Sequence, residues 1–314
     1  MASYSARMPV AEARGTILCL GEALVDLICE RELDSPAEAD EFRPCFGGAL
    51  ANVAVSVRRS GAEVALVGGV GDDPFGHWLA ERLAAEGVDT GRLAFVPGVQ
   101  TPLAVITFDA QREADFQVYD ESIATTFCSA GDEIEDAIDE AGALAFGSNT
   151  LVGERERALT MRARRLAIER GLPVLFDPNL RHHRWDELDL ARERCLEAAE
   201  GVFCLRMNEA EAAWLVPEAA GAAEAAEALA AGRGATVVVV TLGPDGAVAR
   251  GTVAAEAAGI DVEVVSPLGA GDAFMGALAA GFAKRGWKPG AVGEALAEAN
   301  AAGARACTEW RAVP

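Results

Sequence analysis

The sequence predicts an α/β protein: a central, mainly parallel sheet with helices on both faces, carrying a small β lid. Three observations predict this. Short apolar runs alternate with Ala-rich helical patterns along most of the chain, as parallel strands joined by covering helices do. Thr236 to Thr241 places four consecutive valines in one run, which suits a strand buried on both faces. Two stretches break the alternation, Ala23 to Arg43 and Gly91 to Thr126, and these supply the lid.

Taken in order, Thr16–Leu20 reads as a strand, Ala49–Arg59 as a helix, Val64–Gly69 as a strand and Phe75–Glu86 as a helix. Thr101–Phe108 and Glu113–Tyr119 read as two strands joined by a polar turn. Then follow strand Leu144–Phe146, helix Glu154–Arg170, strand Pro173–Phe176, helix Glu187–Ala199, strand Gly201–Leu205 and helix Asn208–Leu215. The Ala- and Glu-rich stretch Pro217 to Gly234 reads as an exposed helix. Asp261–Val265 reads as a strand leading into an Ala-rich helix. The resulting division is a body of residues 16–22, 46–90 and 128–314, a lid of residues 23–45 and 91–127, and a flexible tail of residues 1–15.

The 314 residues carry a formal net charge of −22. A surface that acidic repels phosphate backbones and argues against general nucleic-acid binding. It leaves room for a phosphorylated small molecule at a locally positive site. No run approaches the roughly 20 apolar residues needed to span a bilayer. Residues 1–15 hold no apolar core of a secretory signal. Seven widely spread cysteines without a C-x-x-C pair fit free thiols in a reducing cytoplasm. With three histidines, metal-centre and Ser-His-Asp readings start weak.

Gly269-Ala270-Gly271-Asp272 opens an amphipathic, Ala-rich helix. Small residues at a helix start leave backbone N–H groups bare, and these bind anions. Asp272 in that first turn would place a proton acceptor beside the anion, the pairing that phosphoryl transfer needs. An ordinary Gly-rich helix entry explains the same four residues equally well. No Walker loop is present, so a kinase would need another architecture. In Gly47-Gly48-Ala49-Leu50-Ala51-Asn52 two glycines allow close backbone approach, and the Asn52 amide could meet sugar hydroxyls. The turn Gly68 to Gly76 by itself says only that the chain reverses.

Together these pieces resemble the ribokinase/PfkB family of carbohydrate kinases. They occur in the family's order: Gly21-Glu22-Ala23-Leu24-Val25-Asp26, Gly47-Gly48-x-x-x-Asn52, Gly68-x-x-Gly71-Asp72-Asp73-x-Phe75-Gly76, Phe176-Asp177-Pro178-Asn179-Leu180-Arg181, Asn208-Glu209-x-Glu211, Val240-Thr241-Leu242-Gly243 and Gly269-Ala270-Gly271-Asp272. The resemblance implies a ribokinase-like three-layer sandwich and transfer of the γ-phosphoryl group of ATP to a sugar hydroxyl. It makes Asp272 the catalytic base and Gly269, Ala270 and Gly271 the anion hole. Asp26, Gly47, Gly48 and Asn52 become sugar-binding positions, with Asn149 and Arg181 as further contacts. Asn208, Glu211, Thr241, Gly243 and Asn300 become nucleotide positions, with Glu211 supporting Mg²⁺ through water. The lid of such a kinase also offers a surface for a homodimer.

The strings are most similar to the fructokinase branch. The alternatives are 2-keto-3-deoxygluconate kinase, ribokinase and a sugar-binding relative without catalysis. One departure stands out. Ser266-Pro267-Leu268 precedes the glycine turn where relatives carry an Asp that helps hold a monovalent cation. The neutral serine weakens any claim of activation by K⁺.

Overall fold

The computed structural model describes residues 15–112 and 114–311; all but the last residue of the proposed tail lies outside them. In chain order the first strands are β1 (Thr16–Leu20), β2 (Leu24–Glu32), β3 (Arg43–Gly47), β4 (Glu63–Gly71), β5 (Leu93–Val96), β6 (Leu103–Phe108) and β7 (Ala114–Tyr119). They are followed by β8 (Ala143–Gly147), β9 (Val174–Asp177), β10 (Cys204–Asn208), β11 (Val237–Thr241), β12 (Gly246–Gly251) and β13 (Ala255–Ala258). Among the described residues, nine strands form a large sheet in the order β13-β12-β11-β10-β9-β8-β1-β4-β5. From β11 to β5 all neighbours run parallel. Strands β12 and β13 close one edge antiparallel.

Helices cover both faces. On one lie α1 (Ala49–Arg59), α2 (Pro74–Ala85), α9 (Ala270–Lys284) and α10 (Val292–Ala306). On the other lie α3 (Ile123–Cys128), α4 (Ile134–Glu140), α5 (Glu154–Glu169), α6 (Leu188–Ala198), α7 (Glu209–Leu215) and α8 (Ala222–Arg233). The strands serve the two cores alternately. Ile17, Cys19, Val237 and Val239 enter the α1/α9 side, while Leu18, Leu20, Val238 and Val240 enter the other. Side chains alternate across a strand, so a strand between two helix layers must be apolar at every position. The valine run has this form for that reason.

Helices α1 and α9 approach closely. A Cβ built on Gly276 would stand 2.5 Å from the Cβ of Ser56, and the Ser56 hydroxyl donates to the Ala273 carbonyl at 2.7 Å. This contact sets the height of α9 over the sheet, and with it the start of that helix.

The second sheet has the order β3-β2-β6-β7, with β2 and β6 parallel and the outer pairs antiparallel. It holds an apolar cluster of its own, including Leu24, Ile28, Ile106 and Phe108. The Phe108 ring meets Trp310 at 4.9 Å, and Arg184 pairs with Asp120 at 2.9 Å. These contacts tie the small sheet to the body.

Four expectations need correction. Leu93–Val96, inside the stretch assigned to the lid, pairs with β4 at the edge of the large sheet. Asp261–Val265 forms no strand; Ile260 and Val264 are exposed, and the sheet edge is made earlier by β12 and β13. Strand β10 begins at Cys204, three residues beyond the expected Gly201, because Gly201 sits in a left-handed turn. Helix α8 is not fully exposed, since Ala225, Ala226 and Leu229 are buried against the sheet.

The core of α9 gives a stability test. The Phe282 ring is fully buried and stands edge-on to Phe203 at 5.0 Å. Phe282→Ala should lower unfolding free energy by about 3–5 kcal/mol, measured by urea denaturation at an unchanged m-value.

Candidate functional site

The site lies at the C-terminal ends of the parallel strands, where open α/β sheets bind ligands. Helix α9 begins there. Its N-cap, Gly269, has φ +73° and supplies no side chain, a left-handed conformation that glycine tolerates. The Ala270 amide donates to the Pro267 carbonyl at 3.2 Å. Among the described residues, the amides of Gly271 and Asp272 have no hydrogen-bond partner. Two open amides at the positive end of a helix form an anion site. Ala270, which the family resemblance includes in that site, has its amide engaged by Pro267.

Asp272 stands in this first turn and is 6% exposed. Both oxygens are held. Asn52 Nδ2, on α1, donates to Oδ2 at 3.0 Å, and Asn179 Nδ2, beyond β9, donates to Oδ1 at 2.9 Å. Burial lifts the Asp272 carboxyl to about 6, against the pull of Arg181 and of the Asn52 hydrogen bond. Asp26, on β2, is raised well above the usual carboxylate range by burial and then by Asp272, with Arg181 opposing.

The turn after β9 delivers Asn179. Asp177 Oδ1 accepts from the Asn179 amide at 3.1 Å, an Asx turn. Asn179 takes φ +39°, which asparagine accepts more readily than most residues. Its Oδ1 accepts from Arg181 Nη1 at 2.7 Å, so one amide side chain links Arg181 to Asp272.

Asn208 and Glu211 form a capping box on α7. Glu211 Oε2 accepts from the Asn208 amide at 2.9 Å and Oε1 from the Leu180 amide at 2.7 Å. Burial raises the Glu211 carboxyl, with Asp177 adding to it. Thr241, at the end of β11, accepts from Arg206 Nη2 at 2.9 Å. Gly243 follows with φ +58° and opens a short 3-10 turn.

On the other side, Gly47 and Gly48 join β3 to α1. A Cβ on Gly48 would stand 2.5 Å from the Glu22 carbonyl, and one on Gly47 2.5 Å from Asp26 Oδ1. Both must stay bare for the chain to pass. Asn149 Nδ2 donates to Glu22 Oε1 at 2.9 Å. Asn300, on α10, donates to the Ala258 carbonyl at 2.8 Å and holds the end of β13, with no hydrogen bond to the Asp272 cluster.

Four residues of this network make contacts that their motifs do not announce. Glu22 is buried, and its Oε1 also accepts the Ala49 amide at 3.0 Å. Asp177 pairs with Arg206 at 2.9 Å. Asn179 completes the grip on Asp272. Glu22, Asp177 and Asn179 stand inside motifs already quoted, so only their contacts were hidden. Arg206 had a signal of its own, a single cation inside the apolar strand Cys204–Asn208.

The arrangement joins a proton acceptor held between two amides to an open anion site in the same helical turn. That combination can take a proton from a hydroxyl while an anionic group is transferred to it.

Comparison with known proteins agrees. Residues 14–312 match the profile described as pfkB family carbohydrate kinase. Fructokinase-1 of Zea mays is 33% identical, covering 97% of this chain and 95% of its own. A fructokinase double mutant from Vibrio cholerae O395, in its fructose-, ADP- and potassium-bound form, superposes with a TM-score of 0.82 at 28% identity, covering 96% of this chain and 95% of its own. Fructokinase from Xylella fastidiosa with bound ATP gives 0.83 at 27% identity, covering 95% and 94%.

A carbon-detected NMR titration of the carboxyl groups should find the Asp272 midpoint at about 6. A midpoint near the ordinary value of about 3.9 would mean that water reaches the carboxylate.

Proposed function

The chain belongs to the pfkB family of carbohydrate kinases, and we propose that it phosphorylates fructose, with Asp272 as the base. It is an ATP-dependent sugar kinase; the sugar and the residue roles are the proposal. The observation that carries the roles is the Asp272 carboxylate, gripped by Asn52 and Asn179 beside the open amides of Gly271 and Asp272.

In this reading a sugar hydroxyl gives its proton to Asp272. Its oxygen attacks the γ-phosphorus of ATP in line, and the bond to the β–γ bridging oxygen breaks with both electrons leaving on ADP. The open amides, with Gly269 shaping their turn, face the charge that spreads over the transferring group. Asp26, Asn52, Asn149 and Arg181 orient the sugar, while Gly47 and Gly48 let it approach the backbone. Asn208, Glu211, Thr241, Gly243 and Asn300 line the nucleotide side. Burial keeps water, a competing acceptor, from the centre.

A magnesium ion fits this site only in one way. Among the described residues, no group of three or more His, Cys, Asp or Glu is placed to hold a metal, and both Glu211 oxygens already accept backbone amides. The triphosphate would hold Mg²⁺, with Glu211 assisting through water, as suits an ion that keeps its hydration shell. Bound there, it offsets charge on the phosphates.

Ser266 is buried, and its hydroxyl accepts the Leu268 amide at 3.1 Å. It brings no carboxylate to a monovalent cation. The exposed Phe116 and Tyr119 of β7 support the small sheet as the surface for a homodimer. Among the described residues, no helix is long and apolar enough to cross a membrane. The cysteines of the described chain are all unpaired, which supports a reducing, cytoplasmic setting.

A coupled ADP-release assay with MgATP should show turnover on fructose above 2-keto-3-deoxygluconate and ribose. Turnover on one of the other two alone would reassign the acceptor, and saturable sugar binding without turnover would favour a non-catalytic relative. Asp272→Asn should lower kcat about 10³-fold; full activity in that variant would remove the assigned base. Rates in sodium and potassium buffers of equal ionic strength should agree, and a potassium-specific rise would show that the missing carboxylate is replaced elsewhere.

A further inference from the structure

Arg206 lies on β10 between two neighbours it ties together. Nη1 donates to Asp177 Oδ2, at the end of β9, at 2.9 Å, and Nη2 donates to Thr241 Oγ1, at the end of β11, at 2.9 Å. The guanidinium carbon stands 5.4 Å from the centre of the Phe274 ring on α9. A Cβ built on Gly271 would lie 2.9 Å from Nη1. The residue is 6% exposed, and its Nε is buried without a hydrogen-bond partner.

Stability alone explains this arginine poorly. A buried ion pair is often no better than apolar side chains of the same volume, and the strand around Arg206 is otherwise built for burial. Its location explains it better. The three strand ends it joins carry Asp177, Asn208 and Thr241, and the glycine it touches provides one of the open amides of α9. A cation fixed in a dry site acts on developing negative charge without reorganising, so its effect there exceeds what it would have in water. Arginine suits the position because one planar fork reaches Asp177 and Thr241 together while lying against Phe274.

We propose that Arg206 is a positioning residue for phosphoryl transfer: it fixes the first turn of α9 against the strand ends and keeps a permanent positive charge behind the amides that receive the transferring group. Asp177 offsets the cost of burying that charge. Gly271 must lack a side chain for the guanidinium to come this close. The inference rests on the kinase reading above.

The test compares Arg206→Met and Arg206→Lys with the unaltered protein, and repeats Arg206→Met in an Asp177→Asn background. Each is followed by steady-state kinetics with MgATP and the sugar and by thermal unfolding. Arg206→Met should lower kcat about 100-fold while the sugar KM moves less than about threefold. Arg206→Lys keeps the charge but loses the fork, and should recover only in part, to a kcat about three- to tenfold below the original. In the Asp177→Asn background, Arg206→Met should still cost about 30-fold or more.

A folded Arg206→Met protein with its kcat intact would overturn the proposal. So would an Arg206→Met effect that vanishes in the Asp177→Asn background, since Arg206 would then serve only as the partner of Asp177. If Arg206→Met does not fold, the lysine variant decides: a kcat equal to the original overturns the positioning role, and a partial loss at unchanged melting temperature supports it. An unaltered protein that turns over no sugar would fail the kinase reading instead, so the two failures can be told apart.

Discussion

Asn52 and Asn179 meet on the two oxygens of one buried carboxylate, and the rest of the site is arranged around that grip. Asn52 arrives on α1 and Asn179 on the turn after β9, while Asp272 stands 220 residues beyond Asn52. A carboxylate this deep is costly unless both oxygens are satisfied. The fold therefore has to bring α1, α9 and the β9 end to one point. The Ser56 hydroxyl on the Ala273 carbonyl and the bare Gly276 set the first distance. The left-handed turn at Asn179 sets the second.

The same economy governs the acidic residues nearby. Asp26, Asp177, Glu211 and Asp272 are all buried, and the two arginines among them are Arg181 and Arg206. Three of these carboxylates find different forms of relief. Asp177 has an ion pair, Glu211 has two backbone amides, and Asp272 has two side-chain amides. Asp26 has none of these, and it is the carboxyl whose affinity for a proton rises most plainly from burial and a like charge. Net charge of the whole chain says little about such a site, because local geometry decides which acid keeps its proton.

Much of the large sheet was legible in the sequence because burial on two faces leaves no choice of residue: the valines of β11 could hardly be anything else. Helix α1 was legible at both ends, since Gly48 precedes it and its last turn runs into a polar surface. The edge was not legible. Strands β12 and β13 are short, with Ala and Gly where a β-branched residue would announce a strand, and the more apolar Asp261–Val265 drew the assignment instead. Leu93–Val96 was hidden for a related reason, since four residues carry too little periodicity to reveal which of two sheets they join. In the site, residue types could be read from motifs, but partners could not. Nothing in the spacing of Asn179, or in the lone arginine of β10, states which atoms they touch.

The small sheet carries Asp26 while α9 carries Asp272, so the two raised carboxyls belong to different layers of the molecule. Burial raises both groups, and like charge adds to it, from Asp272 at Asp26 and from Asp177 at Asp272. A movement that exposed Asp26 to water would return it toward an ordinary carboxylate. By linkage, such exposure would release a proton, and the buried arrangement of Asp26 is favoured as the solution becomes more acidic. The burial of Asp26 and its protonation are thus linked, each favouring the other.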